Sequence, residues 1–306
     1  MFRKVNNKLL GFFFALLLLV VVVVFLFEGG KNERTFREVL VDIDTSAVTE
    51  ILIYPKSKNH REVKLFKEAN EWNVALQNGK TAGVTSQRVT DVFTQLLAIK
   101  PKRLAARSED KWNEFQVDTT GSRVKIMEGS ENTLHLVIGR FSFQQPRTMN
   151  SFVRLYNDVD VYEVDGFLDM IFNQDESAFR DGSILNDDFN SWQQLQFDYP
   201  ADSSFILIKK ANKWFVNSYE ADSSKVINYL RGLSRLTNTS FIDDVSTNLS
   251  SPTFTLNITD ADLNFSTIKG FVTPTGYFVH SSENLETYFD GNSVGKTIFV
   301  AISNFK

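Results

Sequence analysis

Residues 63–74, VKLFKEANEWNV, return at residues 205–216 as FILIKKANKWFV. Leu65, Lys67, Ala69, Asn70, Trp72 and Val74 match Leu207, Lys209, Ala211, Asn212, Trp214 and Val216 at a constant offset of 142. Upstream, Ile51-Leu-Ile-Tyr-Pro55 resembles Leu195-Gln-Phe-Asp-Tyr-Pro200. A duplication of this kind constrains the fold strongly, because both copies must bury the same apolar positions in the same local structure. Asn tolerates left-handed turn geometry, so Ala69-Asn70 and Ala211-Asn212 predict hairpin turns, each running into a strand.

A helix follows in each copy. Val89, Val92, Phe93, Leu96 and Leu97 fall on one helical face, and Val226, Tyr229, Leu230 and Leu233 repeat that stripe. Thr85 or Ser86, and Asp222 or Ser223, are candidate N-caps. Further on, Phe152-Val153-Arg154 with Tyr162 resembles Phe278-Val279-His280 with Tyr288 at offset 126, and Gly139 and Gly270 precede these pairs in similar settings. Residues 134–138, 159–164 and 298–302 are β-rich. Residues 167–185 form a connector, helical in part. The fold class is α+β: two diverged repeats, each an antiparallel sheet with one main packed helix. The lobes are placed at residues 47–165 and 194–306, with residues 166–193 between them.

The run from Leu9 to Phe27, LLGFFFALLLLVVVVVFLF, has 19 residues and no charge. At 1.5 Å per residue it spans roughly 28 Å, about the thickness of a bilayer's hydrocarbon core. It reads as a transmembrane helix. A cleaved signal peptide would end in a small-x-small site, whereas this run ends Phe25-Leu26-Phe27-Glu28, so an uncleaved signal anchor is expected. Arg3, Lys4 and Lys8 precede the run, and basic flanks stay cytoplasmic. Residues 1–8 are then a cytoplasmic tail, residues 28–46 a stalk, and the bulk of the chain lies outside a bacterial inner membrane. The chain has no cysteine, which excludes disulfides, thiolate chemistry and lipidation at a cysteine after the run. Its net charge of −4 is a poor match for nucleic acid.

No catalytic constellation emerges. Gly291-Asn-Ser-Val-Gly295-Lys296-Thr297 approaches a phosphate-binding loop, but three residues separate the glycines where four are needed, and residues 298–302 read as a strand, not the required helix. A turn into the last strand is expected there, and no nucleotide. Asp260-Ala-Asp262-Leu-Asn264 begins like a calcium loop but has Phe265 and Phe271 at the glycine and glutamate positions, so a hairpin turn is expected. His60, His135 and His280 form no metal-ligand pair. Residues 158–165, DVDVYEVD, alternate acidic and apolar residues, which reads as a half-exposed strand with a solvated acidic face. Trp72 and Trp214 repeat beside Val74 and Val216, which argues for core packing against the helix. No catalytic residue, cofactor or metal is assigned.

In order and spacing, Trp72-Asn-Val74, Ile138-Gly139 and Val161-Tyr162-Glu-Val164, behind a basic N-terminus and one hydrophobic segment, resemble the domain of unknown function 4340 family. The likeness runs from about residue 3 to 290. The second copy departs from it, with Lys269-Gly270 and Thr287-Tyr288 at the corresponding places. The family has no assigned activity. Some relatives resemble the extracytoplasmic part of gliding-motility ABC transporters, which implies a partner role. The function expected is a non-enzymatic, membrane-anchored, extracytoplasmic interaction module with an envelope or transporter protein partner. The alternative is a glycan-, peptide- or small-molecule-binding domain that uses the groove between the lobes.

Overall fold

The computed structural model describes Phe14 and residues 16–19, 37–144, 148–245, 249 and 251–306. The chain divides into two units, Met1–Glu38 and Val39–Lys306. In the first, Phe14 and residues 16–19 are helical and exposed. The rest of the apolar run, its basic flank and residues 28–36 of the stalk lie outside the described residues. Among the described residues, no helix is long and apolar enough to cross a membrane.

The second unit contains two nine-stranded antiparallel sheets. The first is built from β1 (Val48–Tyr54), β2 (Val63–Glu68), β3 (Glu71–Ala75), β4 (Thr81–Gly83), β5 (Pro101–Ala106), β6 (Ser122–Glu128), β7 (Glu131–Gln144), β8 (Thr148–Leu155) and β9 (Val161–Asp165), in the order β4-β3-β2-β1-β6-β7-β8-β9-β5. The second contains β10 (Trp192–Asp198), β11 (Phe205–Lys210), β12 (Lys213–Val216), β13 (Tyr219–Glu220), β14 (Phe241–Ile242), β15 (Phe254–Asp260), β16 (Phe265–Thr273), β17 (Gly276–Ser281) and β18 (Asn284–Asp290). Its order, β13-β12-β11-β10-β15-β16-β17-β18-β14, repeats the first strand for strand. In both, the helix connects the fourth strand to the fifth: α1 (Ser86–Leu97) in lobe 1 and α4 (Ser223–Leu233) in lobe 2.

The repeated Ala-Asn pair makes the same turn twice. Ala69 and Asn70 have φ of 47° and 71°, and Ala211 and Asn212 have 47° and 63°. The strands resume at Glu68↔Glu71 and Lys210↔Lys213. Both turns are two-residue type I′ connections, which match the twist of the paired strands. Alanine at positive φ carries strain that glycine does not. Ala69→Gly and Ala211→Gly are each expected to stabilise the protein by about 0.5–1 kcal/mol, seen as a higher urea midpoint with an unchanged slope.

Thr85 caps α1 by accepting from Arg88 N, and the Asp222 carboxylate caps α4 by accepting from Ser224 N and Lys225 N. Val89, Val92 and Leu96 of α1 are buried, as are Val226, Leu230 and Leu233 of α4. Each such side chain contributes about 1.5–3 kcal/mol through burial. Trp72 packs edge-on against Phe93 with ring centroids 6.1 Å apart, and Trp214 is buried in the core of lobe 2. Leu97 departs from the expected stripe: it is the last residue of α1 and is exposed.

Four other expectations are corrected. Residues 298–302 are not a strand: α5 (Gly291–Ile298) runs into them, and a 3-10 turn follows at Ile302–Phe305. The near-phosphate motif is therefore helix, not a turn into a strand. Asp290 caps it by accepting from Asn292 N. Gly291 and Gly295 sit one helical turn apart against the Tyr277 ring, where added Cβ atoms would come within 2.5 and 2.4 Å of it. These glycines permit a close helix–sheet approach.

Second, β9 is not half-exposed. Tyr162 and Val164 enter the main core, while Val161 joins a smaller core on the other face with Phe115, Val117, Val137 and Phe152. The segment carrying α2 (Trp112–Phe115) covers that outer face, so Asp160 and Glu163 are buried too. Asn150 Nδ2 donates to Glu163 Oε1 at 2.6 Å and Arg103 Nε pairs with Oε2.

Third, Val153 pairs with Tyr162 but Val279 pairs with Phe289, so Phe289, not Tyr288, is the counterpart of Tyr162. Fourth, Val153 pairs with Ile138 and Val279 with Gly270, so Gly139 and Gly270 are not equivalent.

The connector includes α3 (Asp169–Phe172) and a 3-10 turn at Glu176–Ala178, and it ties the lobes together. Arg180 bridges to Val84 of lobe 1. Its guanidinium lies 3.9 Å above the Phe241 ring of lobe 2 and its Nη1 is 2.7 Å from Asp243 Oδ1. Ser183 bridges to Thr237, and Asn284 Nδ2 donates to the carbonyls of Asp181 and Ser183.

Candidate functional site

The outer face of the first sheet carries a cluster of cations and rings that its register places in one region. β1 presents Tyr54, β6 presents Arg123 and Lys125, β7 presents His135, and β8 presents Arg154, with Tyr156 just beyond it. Pairings Tyr54↔Arg123, Lys125↔His135 and Val137↔Arg154 set these side chains side by side. Alternation along each strand sends their neighbours, Ile53, Val124, Ile126, Leu136 and Val153, into the core beneath.

Arg154 is almost fully buried. Its Nη1 donates to the carbonyls of Leu155 (3.1 Å), Tyr156 (2.7 Å) and Asp158 (3.1 Å), and its Nε to Val117 O at 3.0 Å. The guanidinium stacks 3.8 Å above Trp112, whose Nε1 donates to Val159 O. Arg123 and Lys125 lie 4.8 and 5.7 Å from the centre of the Tyr54 ring. Among the described residues, neither is within ion-pair distance of a carboxylate. A hollow of about 400 Å³ opens here, lined by Trp112, Asp118, Thr119, Arg123, Arg154 and Tyr156. Sites for small ligands occupy roughly 300–1,000 Å³.

His135 stacks on Tyr156 with centroids 3.8 Å apart and planes 11° from parallel. Its Nε2 is buried and has no hydrogen-bond partner among the described residues. Burial, then the charges of Lys125, Arg123 and Arg154, lower its pKa from 6.5 to about 4. The imidazole is therefore neutral at pH 7. Because the folded state resists protonation that the unfolded state accepts, this contribution is complete above about pH 6.5 and is lost as pH falls towards 4. His135→Gln is expected to flatten the decline in stability over that window, measured by urea unfolding at pH 7, 6, 5 and 4.5. The nearby acids Glu109, Asp118 and Asp158 place negative charge near Arg154.

The same register positions in lobe 2 hold different chemistry. Asp198 pairs with Thr255, Asn257 with Thr267 and Lys269 with His280. Asp198, Thr255, Asn257, Thr267 and His280 thus stand where lobe 1 has Tyr54, Arg123, Lys125, His135 and Arg154. Three of them form a closed ladder: Asn257 Nδ2 donates to Asp198 Oδ2 at 3.3 Å and Thr267 Oγ1 to Asn257 Oδ1 at 2.9 Å. His280 Nε2 is 2.9 Å from Leu285 O.

A larger hollow of about 520 Å³ lies where residues 186–190 meet the end of α4. Its acids are already engaged: Asp187 Oδ2 accepts from Trp192 Nε1 at 2.6 Å, and Asp188 Oδ1 from Asn190 N at 3.0 Å. The calcium-like stretch is a hairpin turn in which Asp260 Oδ1 accepts from Asp262 N and Asn264 N. Among the described residues, no three His, Asp or Glu side chains are grouped to hold a metal.

In the sequence, Arg154 and His135 stand apart, one as a repeat match and the other as an unpaired histidine. Their convergence is not legible there, because β6, β7 and β8 meet only through sheet pairing. The alternation Arg123-Val-Lys125 is the one local signal of it.

Compared with known families, residues 72–252 match the family described as Domain of unknown function (DUF4340). No curated protein and no solved structure matches the chain.

Proposed function

The chain belongs to the domain of unknown function 4340 family, and from that premise we propose that it is a non-enzymatic interaction module of the bacterial cell envelope, tethered by residues 9–27 with its two-sheet body outside the inner membrane. One observation carries the recognition part of this reading. The duplicated unit keeps its strand order in both lobes, yet its outer face closes on itself in lobe 2 and stays open, cationic and aromatic in lobe 1. A duplicated scaffold whose copies diverge at matching outer-face register positions supports a division of labour, with lobe 2 as support and lobe 1 as the recognising surface. The tether is supported by the uncharged run and its basic flank. The partner is an envelope protein, of the transporter-associated kind suggested by the family likeness. The ligand-binding alternative moves from the seam to lobe 1, because Arg180, Asp243 and Asn284 fill the seam with hydrogen bonds.

Two experiments test this. A periplasm-only reporter fused after Lys306 is expected to be active, and activity of a cytoplasm-only reporter instead would overturn the topology. Cross-linking in intact cells followed by mass spectrometry is expected to recover the full chain joined to an envelope protein. Recovery of the chain alone would contradict the interaction role.

A further inference from the structure

We propose that the hollow on the outer face of lobe 1 binds an acidic saccharide, a sugar ring that bears a carboxylate. The inference rests on the reading of lobe 1 as the recognising lobe and names the ligand chemistry of that surface. Three observations carry it.

Ring surface is available. Tyr156 lines the hollow and is 44% exposed, even with His135 stacked on its ring and the Arg154 guanidinium 5.8 Å from its centre. Aromatic faces beside polar groups are the usual platform for a sugar's apolar C–H face.

A cation is available for a carboxylate. Arg123 lines the hollow and has an aromatic ring, not a carboxylate, as its neighbour. Its guanidinium fork fits a carboxylate bidentately. Lys125 adds a second positive charge beside it. Burial first, and then the charges of Lys125, Arg123 and Arg154, keep His135 neutral, and an anion here relieves that crowding of cations.

The rest of the lining is mixed, which selects a sugar over a polyanion. Asp118 and Thr119 line the hollow; Asp118 Oδ1 already accepts from Thr120 N and Oγ1, which leaves its second carboxylate oxygen and the Thr119 hydroxyl for sugar hydroxyls. Asp118, Asp158 and Glu109 place negative charge near Arg154. A chain of carboxylates would meet repulsion there, whereas one carboxylate with several hydroxyls would meet a partner for each. At the same register, lobe 2 has Thr255 and Asn257 for Arg123 and Lys125, so it offers no equivalent site.

The test is isothermal titration of the full-length purified chain with galacturonate and with a hyaluronan disaccharide, each of which carries a single carboxylate. Neutral digalactose and hexaglutamate serve as the comparison ligands. Saturable one-to-one binding of at least one acidic saccharide is expected, at least tenfold tighter than digalactose, with no binding of hexaglutamate. Arg123→Ala and Tyr156→Ala should each weaken it at least tenfold in a chain that still unfolds in a cooperative thermal transition. Thr255→Ala in lobe 2 should leave it unaltered. Failure to bind either acidic saccharide overturns the proposal, as does equal affinity in the Arg123→Ala chain. Hexaglutamate binding as tight as the sugar would assign the site to an acidic peptide instead. If cells yield a cross-linked partner while the saccharides do not bind, the ligand class fails and the interaction module stands. If the saccharides bind while cells yield no partner, the ligand class stands and the interaction module fails.

Discussion

Arg154→Ala is expected to lower the stability of the folded chain by about 3–5 kcal/mol, whereas His280→Ala, at the matching register of lobe 2, should cost less than about 1 kcal/mol. The difference follows from what each side chain holds. Arg154 is 4% exposed, and its charged donors satisfy carbonyls from three places in the chain: Val117, the end of β8, and the Asp158 loop. Truncation leaves those carbonyls unpaired in a partly buried site and removes the stacking on Trp112. His280 makes one polar contact, with the Leu285 carbonyl at an exposed site, and a tilted ring contact with Tyr288 at 4.8 Å. Arg154→Lys separates the roles: a point charge reaches one or two of the carbonyls but not the fork geometry, so it should recover less than half of the loss. Urea unfolding of the four chains, followed by tryptophan fluorescence, measures this. Equal costs at Arg154 and His280 would show that the outer faces of the two lobes are energetically alike.

The second large effect is at the seam. Arg180→Ala is expected to cost about 3 kcal/mol and to separate the unfolding of the two lobes. Arg180 is 6% exposed, pairs in the backbone with Val84, and places its guanidinium between the Phe241 ring and Asp243. Its removal leaves a gap where the connector crosses from sheet to sheet. Asp243 is itself partly exposed and can be rehydrated, which keeps the cost below that of a fully buried orphaned charge. Calorimetry should show one cooperative transition in the parent chain and two in the variant. A single transition in both would mean that the connector is not what couples the lobes.

Much of this fold is legible in the sequence, and for a clear reason. The legible features are local or repeated. The Ala-Asn turns depend on two residues with positive φ. The α1 and α4 stripes depend on spacing within one helix, and Thr85 and Asp222 cap within three residues. The duplication then assures that what holds at residue 65 holds at residue 207. Leu97 is misread because the helix simply ends there, whereas the misreadings of β9, of Gly291 and Gly295 and of Tyr288 have a non-local cause. The acidic alternation of β9 looks solvated because nothing nearby in sequence covers it. The cover, Trp112 to Val117, comes from about 45 residues earlier. Gly291 and Gly295 look like part of a loop because only the Tyr277 ring, on β17, explains them. Tyr288 matches Tyr162 by residue type, while the sheet matches Phe289 by register. The candidate site shares this character. Its cations and rings lie on four strands, one short helix and one loop, and only the tertiary fold brings them together.

The asymmetry between equivalent positions of the two lobes is tested most directly with a photo-activated cross-linking residue placed at Tyr156 or, in a second strain, at Ser282. Backbone bonds to His135 and Thr267 make these two positions equivalents. Illumination of intact cells carrying each full-length chain should give envelope-protein adducts from position 156 and none above background from position 282. Adducts of equal yield from both positions, or from position 282 alone, would contradict the division of labour between the lobes.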